Sequence, residues 1–127
     1  MRLSRMLLIA VLAVLASLTT AASPALAQSS AATVLPTVCQ ERVCLTVTVE
    51  SATEVYLMAR VNVSAARCGH FAASLMAAGR TIQAASNSTC AAPPLWCTRL
   101  IKPAGPGSVR VWFVSEPETP GEPVVFF

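Results

Sequence analysis

Five cysteines (Cys39, Cys44, Cys68, Cys90 and Cys97) and a single histidine, His70, are the residues of this 127-residue chain best equipped for chemistry. Thiols can ligate a metal, attack an electrophile or pair with one another. One histidine is too few for a site built on His pairs, and oxidised cysteines are poor ligands, so neither a metal nor a cofactor is expected. His70 lies two residues from Cys68 and could tune its thiol. No Gly-x-Ser-x-Gly elbow surrounds any serine, however, and a triad needs a nucleophile, an oriented base and a carboxylate in one frame. The chain has no Asp, which leaves six Glu as its only acids and removes most calcium-loop patterns. The expectation is a protein that is not an enzyme.

What the thiols do depends on where the chain works. Arg2 and Arg5 precede an uncharged apolar run over residues 6–18, and Ala25-Leu26-Ala27 supplies the small-x-small pattern of a signal cleavage site. Residues 1–27 therefore read as a cleaved secretory signal and residues 28–127 as one secreted domain beginning near Gln28. The apolar run is shorter than the roughly 20 residues a spanning helix needs, and no membrane span is expected. Export makes disulfides the default. Five choices of the unpaired residue and three pairings of the rest give fifteen arrangements. Short spacing favours the local pairs Cys39 with Cys44 and Cys90 with Cys97, leaving Cys68 free or forming a dimer. The competing arrangement joins Cys68 to Cys90.

Without the signal, seven scattered basic residues face six Glu, a balance near +1 with no stripe to track phosphates. No nucleic-acid partner is expected.

The elements that position these residues read mainly as strands. Residues 43–50 (VCLTVTVE) alternate, with Val43, Leu45, Val47 and Val49 on one face, and residues 54–63 (EVYLMARVNV) repeat the pattern. They predict an antiparallel hairpin turning at residues 51–53. Residues 107–115 (GSVRVWFVS) and 123–127 (PVVFF) predict two more strands. The middle supports two readings. Phe71, Leu75, Ala78 and Ile82 fall at helical spacing in an Ala-rich stretch, predicting one helix near 65–79 and a small α+β domain with an antiparallel sheet. Gly69 and Gly79 argue against a helix, and Ala78-Gly79 could turn a hairpin, giving an all-β sandwich.

Two surfaces offer binding chemistry. Tyr56 and Arg60 share the outward face of one strand, as Arg110 and Trp112 do of another, so adjoining strands would make an aromatic and basic patch suited to a ligand or a cell-surface partner. Residues 90–103 (CAAPPLWCTRLIKP) offer the other: a stiff Pro-rich stretch that a Cys90–Cys97 bridge would clamp into a presented, pre-organised loop.

Within it, Cys97, Thr98, Arg99, Leu100 and Pro103 follow an order that resembles the reactive loop of secreted subtilisin-inhibitor-like serine protease inhibitors. That resemblance implies that Arg99 is the primary specificity residue, Arg99-Leu100 the reactive bond, and an extracellular serine protease the partner.

Overall fold

Alternation decides this fold. The computed structural model describes residues 31–127; the export signal expected over residues 1–27 lies outside them. Among the described residues nine strands form: β1 (Thr33–Val34), β2 (Val38–Gln40), β3 (Val43–Ser51), β4 (Glu54–Val61), β5 (Arg67–Ala77), β6 (Arg80–Ala91), β7 (Leu95–Ile101), β8 (Ser108–Ser115) and β9 (Val124–Phe126). They make two antiparallel sheets. The first runs β1-β3-β4-β7, with β2 also on β3, and the second β6-β5-β8-β9. No described helix is long and apolar enough to cross a membrane.

The predicted hairpin is β3 and β4. Val43, Leu45 and Val47 face Val61, Ala59 and Leu57 in register, and all six are fully buried. From the second sheet, Phe71, Ala73 and Leu75 of β5 and Val109, Val111 and Phe113 of β8 close the core. The ring of Phe71 stacks 5.9 Å from Trp96 of β7 and lies 4.7 Å from Phe113, so one aromatic cluster ties the sheets together.

The expected helix near 65–79 is absent: most of that stretch is β5. Phe71 and Leu75 share a face at either period, since a spacing of four is also two strand repeats. The other two members of the helical stripe, Ala78 and Ile82, are exposed. Period-2 burial of Phe71, Ala73 and Leu75 between β6 and β8 outweighs the helix propensity of the alanines. Ala78 and Gly79 both take positive φ, 52° and 73°, as a tight hairpin turn requires. Gly69 permits the close approach of β8, because a Cβ there would sit 2.3 Å from the Val114 carbonyl oxygen.

Two disulfides form, Cys39 to Cys44 and Cys68 to Cys90, each joining directly opposed residues of neighbouring strands. The expected Cys90–Cys97 bridge does not form. Parity forbids it: Cys90 points outward from the second sheet and Cys97 outward from the first, on opposite faces of the sandwich. Cys68 is consequently bonded rather than available for a dimer, and Cys97 is the exposed free thiol.

Candidate binding surface

The outer face of the first sheet gathers the long polar side chains of β4 and β7. Their register sets Tyr56 opposite Arg99, Met58 opposite Cys97 and Arg60 opposite Leu95. Because successive strand residues alternate faces, all six point away from the core. Thr37, Cys44, Thr46, Met58, Arg60 and Leu95 line a shallow groove of about 380 Å³. Its Thr37 wall is held over β3 by the Cys39–Cys44 bridge and by a 2.7 Å hydrogen bond between the Thr37 and Thr46 hydroxyls. Arg99 reaches back along the face, its Nη1 donating to Glu54 Oε1 at 3.3 Å. Both groups are solvent-accessible, so this pair orients Arg99 and adds little stability.

Tyr56 sits between these groups. Its pKa is raised above the ordinary tyrosine value, chiefly by hydrogen bonding with the Cys97 thiol, with desolvation and the charge of Cys97 adding and Arg99 opposing. The phenol therefore stays a neutral donor throughout the physiological range. Tyr56 is the only tyrosine of the chain, so its ionisation can be read directly. Cys97→Ala is expected to shift the alkaline absorbance titration to lower pH; an unmoved titration would show that the thiol does not act on the phenol.

The expected patch of Tyr56, Arg60, Arg110 and Trp112 divides in two. Arg110 and Trp112 stand on β8, which pairs with β5 in the second sheet and adjoins β4 nowhere. Their outward face is therefore the opposite side of the sandwich, where Arg110 Nη2 lies 3.7 Å from Met76 Sδ.

The expected presented loop is also corrected. Leu95–Ile101 is a strand laddered to β4, with no Cys90 clamp. Thr98 is half-buried, Leu100 is in the core at 1% exposure, and Pro103 lies just beyond the strand. Arg99 is exposed. Sequence reasoning placed Met58 outward with Tyr56 and Arg60 but missed that Leu95 and Ile101 share this face. Their signal was the alternation of Leu95, Cys97, Arg99 and Ile101 against Trp96, Thr98 and Leu100, masked by the flanking prolines.

Among the described residues no group of three or more His, Cys or Glu is placed to hold a metal ion. Comparisons with family models, with curated proteins and with solved structures found no match.

Proposed function

We propose that this chain is an exported, non-enzymatic binding protein whose partner engages the outer face of the first sheet through Tyr56, Arg60 and Arg99. The observation that carries this reading is their shared face: Tyr56 stands opposite Arg99, and Arg60, two register pairs further along, lines an adjoining apolar groove. Tyr and Arg supply much of the energy of recognition surfaces because each joins a broad apolar body to directional donors. The signal-like N-terminus and the two disulfides support an oxidising destination.

A narrower version makes Arg99 the primary residue of a serine protease inhibitor. Its favourable observation is an exposed Arg99 on extended backbone; against it stand the missing clamp and the core position of Leu100.

Photoactivatable residues placed separately at Met58 and at Trp112 test the assignment. Incubation with extracellular and surface proteins of the producing cell is expected to yield an adduct at Met58 and none at Trp112. Arg99→Ala is expected to weaken capture about 30-fold, the size of a contact worth about 2 kcal/mol. Adducts confined to Trp112 would move the site to the second sheet and sink the proposal. Near-equimolar inhibition of a trypsin-like or subtilisin-like protease, lost in Arg99→Gly, would select the narrower version.

A further inference from the structure

Sheet edges expose unpaired amides and carbonyls, and proteins usually shield them with prolines, shortness or irregularity. Most edges here are shielded so. β1 and β2 share one edge and are separated by a gap containing Pro36; β9 has three residues and follows Pro123. β6 is long but half of it is Ala, Ser and Asn, which suit strands poorly, and its pairing slips register beside Leu75. β7 is bounded by Pro94 and Pro103 and carries one charge, Arg99, but its interior is unshielded. It runs seven residues without proline, glycine or bulge, and its outer side carries Leu95 and Ile101 at 50% and 62% exposure.

The direction of its free groups follows from its neighbours. The Lys102 amide donates to the Thr53 carbonyl, and the Pro94 carbonyl accepts from Val61, so even-numbered residues turn their backbone toward β4. Leu95, Cys97, Arg99 and Ile101 turn theirs to the open edge. The Ile101 amide is engaged by Gln83 Oε1 at 2.9 Å. Among the described residues nothing caps the amides of Cys97 and Arg99.

We propose that β7 pairs antiparallel with β7 of a second copy, about a two-fold axis through Thr98. In that register every cross-strand pair is complementary: Leu95 meets Ile101 of the other copy, Cys97 meets Arg99, Trp96 meets Leu100, and the two Thr98 residues face each other. Charge agrees as well. Arg60 flanks Leu95 and Glu54 flanks Ile101, so each end of the seam sets a cation in line with a carboxylate of the other protomer. Moving the axis to Cys97 would instead oppose Leu95 to Arg99 and run Ile101 against Pro93, which has no amide to give. In that register the Ile101 amide exchanges Gln83 for the Leu95 carbonyl of the other copy, and the two thiols are not aligned, so the dimer is non-covalent. It joins two first sheets into one and brings Arg99 of the second copy beside Cys97 and Met58.

Sedimentation of the purified protein under reductant, across micromolar to high-micromolar concentrations, tests this. A single strand pair falls below the ~1,200 Å² typical of stable interfaces, so a reversible, concentration-dependent rise to twice the monomer mass is expected. Cys97→Ser is expected to keep it. Cys97→Pro removes an outward amide while sparing the ladder to β4 and is expected to be monomeric with an unchanged circular dichroism spectrum. Should that variant unfold, Leu95→Lys with Ile101→Lys blocks the edge by charge repulsion and is expected to be monomeric. A wild type that stays monomeric throughout, a dimer lost in Cys97→Ser, or a dimer surviving the edge-blocking variants would each overturn the proposal. The measurement needs no outside partner, so its failure leaves the binding role of the outer face standing.

Discussion

Phe71→Ala is expected to destabilise the protein by about 4 kcal/mol, within the range for emptying a buried aromatic site. Phe71 has no exposed surface and touches rings from both sheets: Trp96 at 5.9 Å across the sandwich and Phe113 at 4.7 Å on the neighbouring strand. The cavity left behind would lie between two hydrogen-bonded sheets, which cannot collapse inward without breaking their ladders. The loss therefore includes a cavity contribution as well as a transfer one. Urea unfolding should show a lower midpoint with an unchanged slope. A domain of this size has only about 5–15 kcal/mol in total, so the variant would be marginal at 37 °C. The control is Ile82→Ala. Ile82 belonged with Phe71 to the helical stripe read from the sequence, yet it is 39% exposed on β6 and should cost under about 1 kcal/mol. Equal losses at the two positions would mean that they share one buried face, which β5 and β6 do not provide.

The contrast between those two residues shows what the sequence could and could not reveal. β3 and β4 were legible because every second residue over two neighbouring segments is apolar, and only a half-buried hairpin satisfies that pattern. β5 was ambiguous because Ala72, Ala73, Ala77 and Ala78 favour a helix locally, while its pairing with β8 depends on residues about forty positions away. The same non-local choice split the expected patch. Tyr56 and Arg60 were correctly placed on one face, but nothing in residues 107–115 says which sheet that strand joins. β7 was hidden differently, since Pro93, Pro94 and Pro103 read as loop punctuation around a segment whose inward residues are only Trp96, Thr98 and Leu100.

Lys102 is the residue least legible in advance. Lysines are rarely buried, yet this one is 6% exposed. Its Nζ donates to the carbonyls of Ala52, Pro103 and Gly105 at 2.8, 3.0 and 3.0 Å and sits 5.1 Å above the Phe127 ring. Those acceptors come from the β3–β4 turn and the β7–β8 connection, which meet only once β7, distant in sequence, pairs with β4. The ammonium thereby anchors the end of β7 that carries the candidate face.

Replacing Cys68 and Cys90 together by Ser is expected to cost about 3 kcal/mol, against about 2 for the Cys39–Cys44 pair, because constraint of the unfolded chain grows with the closed loop and the sequence separations are 22 and 5. Structure sharpens that difference. β6 lies at the edge of the second sheet, pairs with β5 alone there, and contributes only the partly buried Ala85 to the packing around the core. Its attachment therefore rests on the backbone ladder, the Gln83 contact to the Ile101 amide, the Ala78-Gly79 turn at one end and the disulfide at the other. Without the disulfide, hydrogen exchange should quicken first in residues 86–91, the half of the strand farthest from the turn, while β3 and β4 keep their protection. Loss of the Cys39–Cys44 bridge should instead loosen residues 33–40, and with them the Thr37 wall of the groove. If the Cys68/Cys90 variant matched the wild type in urea and in exchange, ladder, turn and Gln83 contact would suffice to hold β6, and the exposed edge strand would be stabler than its burial implies.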